Sequence, residues 1–230
     1  MGRVTSLTSE LDGVVPLRMA DFTYPHGHPL ADQRGVVFAF AIRHPDGVLL
    51  VDTGIGHDHR WVEEAFRPQR RPIRGALATV GVGLDDVVAV ANTHLHFDHC
   101  GQNHVFPRVP IYVQRAEREN ARHPGYTIPE WVDFPEARYE LLDGDAEPLT
   151  GVRLIATPGH TAGHQSVAVA TRDGIVLLPG HAVFSAAEWE VRAEADSASD
   201  EATRSVQLLR ELLPRRVLFS HDETIWERRP

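Results

Sequence analysis

Within six residues, His94-Leu95-His96-Phe97-Asp98-His99, the chain sets three imidazoles and a carboxylate. On an extended segment the period-2 spacing sends His94 and His96 to one side. Asp98 and His99 follow as the chain bends, so one short loop can offer ligands to two neighbouring metal ions. Imidazole nitrogen and carboxylate oxygen suit zinc, iron or manganese. The competing reading is a histidine-rich surface loop. Against it stands the apolar run Val87-Val88-Ala89-Val90-Ala91, which reads as a buried strand ending where the ligands begin.

The same arrangement recurs. Val152 to Ala156 leads into Thr157-Pro158-Gly159-His160-Thr161-Ala162-Gly163-His164; Ile175 to Leu178 leads into Gly180-His181; Val217-Leu218-Phe219 leads into Ser220-His221-Asp222. Composition supplies some of this, because the chain has 14 histidines. A histidine at or just past four strand-like ends is a placement that composition does not explain.

These residues need elements to carry them. Val36–Ile42 and Gly47–Val51 are apolar runs joined by His44-Pro45-Asp46-Gly47, a hairpin turn, and a second hairpin turns about Arg172-Asp173-Gly174. Pro110–Gln114 reads as a further strand. Short helices are expected at Asp58–Phe66 and Arg115–Ala121. Ser199–Leu213 has helical spacing at Val206, Leu209, Leu212 and Leu213, with Asp200 and Glu201 suited to its first turn. Strands in both halves, interleaved with helices, predict two packed sheets with helices outside. Residues 14–35 and 122–137 lack periodicity and are expected to be irregular loops at the rim of the site. From them Phe22, Tyr24, His26, His28, Tyr126, Trp131 and Phe134 are candidate substrate contacts.

Composition narrows the function. At 230 residues the chain is expected to form one domain over residues 1–230. A net charge of −9 with no Lys/Arg stripe argues against nucleic acid as a partner. Arg67-Pro68-Gln69-Arg70-Arg71 reads as a solvated loop. The single cysteine, Cys100, excludes an internal disulfide, fits a reducing compartment, and reads as a small buried hydrophobe. No apolar run is long enough to span a membrane, and the N-terminus lacks a secretory pattern. The expectation is a cytoplasmic monomer or homodimer that acts on a small molecule, with neither nucleic acid nor membrane as a partner.

Taken together, His94–Gly101 (HLHFDHCG), Ile111–Arg115 (IYVQR), Thr157–Ser166 (TPGHTAGHQS), Ser220–Asp222 (SHD) and Asp52-Thr53-Gly54 resemble the metallo-β-lactamase superfamily, and within it the N-acyl-homoserine lactonases, over roughly residues 36 to 222. The resemblance implies an α+β fold, the αββα four-layer sandwich, and a quorum-quenching type of lactonase chemistry. It implies that His94, His96 and His160 hold one metal ion and that Asp98, His99 and His221 hold a second, zinc first, with iron or manganese as alternatives. A metal-bound hydroxide would then attack a lactone, ester or thioester carbonyl. Asp98 would double as a catalytic orienter or proton shuttle. Asp52 would accept a hydrogen bond from a ligand histidine, and His164 would be a buried hydrogen-bonding histidine.

Two positions depart from that pattern. The family places Asp after the glycine at 180, bridging the metals; here it is His181. A neutral imidazole ligates through one nitrogen and removes one negative charge, which implies a lost second metal or a dinuclear site held by hydroxide. Phe184 stands where lactonases carry a tyrosine hydroxyl that assists the substrate carbonyl, and a lost oxyanion donor costs about 10²–10³ in rate. Two further readings follow: a mononuclear iron enzyme oxidising a thiol or persulfide, and a metal-binding protein without turnover.

Overall fold

The computed structural model describes residues 3–6, 13–191 and 200–229. Fourteen strands are present among them: β1 (Arg3–Ser6), β2 (Val14–Thr23), β3 (Arg34–His44), β4 (Gly47–Val51), β5 (Gln69–Arg70), β6 (Val87–Ala91), β7 (Pro110–Gln114), β8 (Arg138–Leu142), β9 (Ala146–Leu149), β10 (Val152–Ala156), β11 (Gln165–Thr171), β12 (Gly174–Leu178), β13 (Arg216–Leu218) and β14 (Thr224–Glu227). They form two seven-stranded sheets, ordered β5-β2-β3-β4-β6-β7-β8 and β1-β14-β13-β12-β11-β10-β9.

Strand alternation builds the layers. On β3, Val36, Phe38, Phe40 and Ile42 point into the core between the sheets, where they meet Leu154, Val167, Val169, Val176 and Leu178. The intervening Val37, Ala39 and Ala41 point outward, onto Val62 of the helix Arg60–Phe66 and Ile73 and Leu77 of the helix Ile73–Thr79. The second sheet does the same: Ile155, Ala168 and Leu177 face outward onto Trp189, Val206 and Leu209 of the helices Ala186–Val191 and Glu201–Glu211. The chain is thus a helix–sheet–sheet–helix sandwich, the αββα layout.

Strand direction decides where the site lies. β4, β6, β7 and β8 are mutually parallel, so their C-terminal ends share one edge. In the other sheet β10 and β12 both run antiparallel to β11, and β13 runs parallel to β12, so their C-terminal ends also share an edge. Every ligand-bearing segment leaves one of these ends. The sheets are stitched together there: the Gln165 backbone N–H donates to the Thr93 carbonyl at 2.8 Å, and the Phe38 N–H to the Ser220 carbonyl at 2.8 Å. The Gln165 side chain adds a bond to the Asn92 carbonyl at 2.8 Å.

Three expectations need correction. The stretch 14–35 is not a loop throughout, because Val14–Thr23 is a ten-residue strand paired with β3. Pro16 obscured it; the strand tolerates proline because β5 reaches only Ala20 and Asp21, leaving Pro16 on a free edge. The basic stretch 67–71 is not simply solvated, since Gln69–Arg70 form β5 and Arg70 pairs with Glu63 at 2.6 Å. The last helix runs Glu201–Glu211, capped by Asp200, which accepts from the Thr203 N–H at 2.8 Å; Ser199, the expected start, lies outside the described residues.

The ligand loop is clamped by backbone contact. Gly101 donates to the Gly54 carbonyl at 2.9 Å, and a Cβ at Gly101 would lie 2.0 Å from the Gly56 nitrogen. Its φ of −63° suits any residue, so the requirement is purely steric. Gly101→Ala is expected to lower the melting temperature by roughly 2–10 °C. Gly75→Ala, which meets nothing within 4 Å in a helix, should leave it level or raised; calorimetry of the two variants checks the contrast.

Candidate metal centre

The turn after β6 and the short helix Phe97–Cys100 deliver His94, His96, Asp98 and His99; the loops after β10, β12 and β13 deliver His160, His181 and His221. They form two groups. His94, His96, His160 and His181 make one, Asp98, His99, His181 and His221 the other, and the ligand atoms within each lie within 4.8 Å of one another. In the first, His96 Nδ1 stands 3.1 Å from His94 Nε2 and 3.2 Å from His160 Nε2, and His160 Nε2 is 2.9 Å from His181 Nδ1. In the second, His181 Nε2 is 2.9 Å from His99 Nε2 and 2.5 Å from His221 Nε2, and Asp98 Oδ2 is 3.4 Å from His221 Nε2.

Tautomers follow from what stands behind each ring. The Asp52 carboxylate accepts from the His99 Nδ1–H at 2.7 Å, from the Thr93 N–H at 2.8 Å and from the Thr93 hydroxyl at 2.9 Å. That hydroxyl, having donated to Asp52, accepts from the His94 Nδ1–H at 3.1 Å. The His221 Nδ1–H donates to the Val36 carbonyl of the opposite sheet at 2.7 Å. His94, His99 and His221 therefore all turn a bare Nε2 lone pair inward. The His164 Nδ1–H donates to the Thr157 carbonyl at 3.0 Å, and its Nε2 accepts the His181 backbone N–H at 2.9 Å, so His164 supports the loop rather than joining either group.

Electrostatics divide the cluster: most of its rings are held neutral, while Asp98 is held ionised. Burial first, then neighbouring imidazoles, hold His94 and His181 well below the ordinary histidine range. The same causes put His160 at about 4, and burial leads in putting His164 at about 3. Burial works against ionised Asp98, but the charge of His99 and the hydrogen bond and charge of His221 outweigh it and hold its carboxyl well below the usual range. Burial likewise opposes protonation of His99, yet Asp52 and Asp98 prevail and raise it.

This donor set fits a metal cation. His94, His99 and His221 have spent their N–H groups outward and cannot donate to one another, so their inward lone pairs suit a cation between them. Nitrogens about 2.0–2.1 Å from a tetrahedral ion stand about 3.3 Å apart, close to the separations seen here. Each group without His181 also has three ligands, the number found where a position is left open for chemistry.

A cleft of about 330 Å³ opens onto both groups; Tyr24, His28, Tyr126 and Phe184 line it with His96, Asp98, His160, His181 and His221. Phe22, Ile55, Phe66 and Phe97 complete an apolar wall, and sequence reasoning missed the last three of these. Trp131 is corrected: it is buried beneath Gly56, where a Cβ would lie 2.5 Å from its indole, and does not face the cleft. Phe134 packs into the same apolar cluster, and His26 is exposed away from the cleft. Cys100 is buried, its thiol pushed up to about 12 by burial, as suits a packing residue.

Glu117 was also missed. Fully buried on the helix Arg115–Asn120, it accepts from the Leu95 N–H at 2.8 Å, the Tyr126 hydroxyl at 2.5 Å and the Thr161 hydroxyl at 2.6 Å, so one carboxylate fastens both ligand loops of the first group. Nothing in Arg-Ala-Glu-Arg-Glu-Asn separates it from a solvated helix carboxylate.

The sequence family described as the metallo-beta-lactamase superfamily matches residues 32–221. An N-acyl homoserine lactonase from a Bacillus species is 34% identical over 203 residues, 81% of each chain. A second, from Azorhizobium caulinodans, is 32% identical over 224 residues, 85% of each. Among solved structures, an N-acyl homoserine lactone hydrolase with the product N-hexanoyl-L-homoserine bound at the catalytic metal centre superposes with a TM-score of 0.76 at 29% identity, covering 91% of this chain and 92% of that one. A dizinc quorum-quenching lactonase superposes with a TM-score of 0.65 at 17% identity, covering 90% of this chain and 86% of that one, a likeness of fold alone.

Two substitutions separate the roles of the supporting carboxylates. Asp52→Ala is expected to weaken metal binding about 10–100-fold, read by competition with a chromophoric chelator. Glu117→Gln turns an amide N–H toward groups that are themselves donors, so it should also lower the melting temperature of the chelated protein, a shift of roughly 1–3 kcal/mol in stability.

Proposed function

The chain belongs to the metallo-β-lactamase superfamily and is a metal-dependent hydrolase acting on lactone or ester bonds, and we propose that its substrate is a lactone carrying an apolar acyl chain, of the N-acyl homoserine lactone kind. The observation that carries this reading is the cleft: one opening lined both by residues of the ligand cluster and by aromatic and aliphatic side chains. In this reading His94, His96 and His160 hold one ion and Asp98, His99 and His221 a second, and zinc is the metal proposed. When bound, the ions polarise the carbonyl oxygen and lower the pKa of water towards ~7.

The remaining work falls to the chain. The apolar wall of Phe22, Phe66 and Phe97 takes the acyl chain and excludes water from the reacting carbonyl. Asp98, ionised and facing the cleft, accepts the proton of the attacking water at a carboxylate oxygen and returns it to the alkoxide released on ring opening. Phe184 packs its ring 4.4 Å from that of His181 and offers no donor to the developing oxyanion. The mononuclear iron reading needs one group short of ligands; each group here keeps three candidate ligands besides the shared His181, which favours hydrolysis. We also propose a cytoplasmic protein. Among the described residues no helix is long and apolar enough to cross a membrane.

A panel of acyl-homoserine lactones, aryl esters and thioesters, run with metal analysis, tests the reading. Turnover that improves with acyl length supports it; a metal-loaded protein inert across the whole panel sinks it. Asp98→Asn should lower kcat about 10²–10⁴-fold with little change in KM. Phe184→Tyr should raise kcat on lactones by up to about 10²-fold, because it restores a donor beside the carbonyl; no gain would mean that the ring does not reach the reacting group.

A further inference from the structure

His181 is the one residue shared by both ligand groups, and it meets them with different atoms: Nδ1 faces His160 at 2.9 Å, while Nε2 faces His99 at 2.9 Å and His221 at 2.5 Å. We propose that His181 joins the two ions as a bridging imidazolate, Nδ1 to the ion of His94, His96 and His160 and Nε2 to the ion of Asp98, His99 and His221. The proposal rests on the dinuclear reading above and specifies how that centre is joined.

The ring is held in this pose by its surroundings. The His181 backbone N–H donates to His164 Nε2 at 2.9 Å, and Gly180 at φ +56° makes the turn that aims the side chain inward. A Cβ at Gly180 would lie 2.7 Å from His164 Nε2 and 2.9 Å from Thr93 Cβ, so the loop has no room to retreat. Phe184 lies against the ring with centroids 4.4 Å apart, and that of His94 is 4.5 Å away. A neutral His181 would donate its single N–H either to His160 or to His99 and His221, a hydrogen bond that closes that side of the ring to an ion. Coordination at both nitrogens opens both sides. The N–H proton passes to solvent, two metal–nitrogen bonds form, and the ring acquires one negative charge. That is the charge a bridging carboxylate would have supplied, so exchanging carboxylate for imidazole need not make the centre more positive.

The bridge has a spectroscopic signature. An imidazole ring with a metal about 2 Å from each nitrogen sets the ions about 6 Å apart, against about 3.5–4 Å in ordinary two-metal sites. After chelation, the protein is loaded with copper(II) alone and examined by elemental analysis, low-temperature electron paramagnetic resonance and X-ray absorption. The expected result is two copper ions per chain, loss of the copper signal through exchange coupling, and no metal–metal scattering at the shorter distance. In His181→Ala the coupling should vanish and two separate signals appear. In His181→Asp two ions should bind at the shorter separation, which also guards against an alanine variant that fails to load.

Two uncoupled ions, one ion per chain, or a coupled pair persisting in His181→Ala would each overturn the bridge. One ion per chain with intact lactone hydrolysis would overturn the bridge and leave the hydrolase reading standing. A coupled pair in a protein whose zinc form is inert across the lactone and ester panel would support the bridge and sink that reading.

Discussion

Imidazole lone pairs facing one another inside a protein are the constraint on which the rest of this structure depends. His94, His99 and His221 have committed their Nδ1–H groups outward, to Thr93, Asp52 and the Val36 carbonyl. Burial holds His94 and His181 uncharged. What those three rings leave inside is a set of Nε2 acceptors gathered at hydrogen-bond distances, a geometry that suits cations. The same contacts that aim the lone pairs also hold the loops, so an ion bound there would stabilise the fold.

The sandwich makes this arrangement affordable by spreading it over many fixed points. The ligands leave strands whose C-terminal ends share an edge in each sheet, so short loops suffice to bring them together. Bonds from Gln165 to Thr93 and Asn92, and from Phe38 to Ser220, fix one sheet relative to the other beside the site. Glu117 then ties the His94–His96 segment to the His160 loop. A displacement in any one of these reaches several ligands, which is why the positioning residues matter as much as the ligands.

The cleft and the centre make separate demands. Aromatic walls give affinity for an apolar chain without specifying the bond that is cut, and the ligand groups specify polarisation of a carbonyl without specifying the chain. Phe184 sits between them. Its ring lies against that of His181 and brings no hydrogen-bond donor to the cleft.

The candidate ligands were legible in the sequence because metal-binding side chains are rare, bunched and placed at the ends of apolar runs. His94, His96, Asp98, His99, His160, His181 and His221 all meet in the fold, and apolar strand-like runs in both halves, interleaved with helices, were enough to announce two packed sheets. What the sequence hid depends on contacts between distant segments. The Val14–Thr23 strand was masked by a proline that only its free edge permits. Trp131 looks like a rim residue until the chain folds Gly56 over it. Glu117 is one acidic residue among several until Leu95, Tyr126 and Thr161 converge on it. The same holds for His181. Its type and position are local facts, but the direction of each ring nitrogen is set by four loops from two sheets, and the tertiary structure alone decides it.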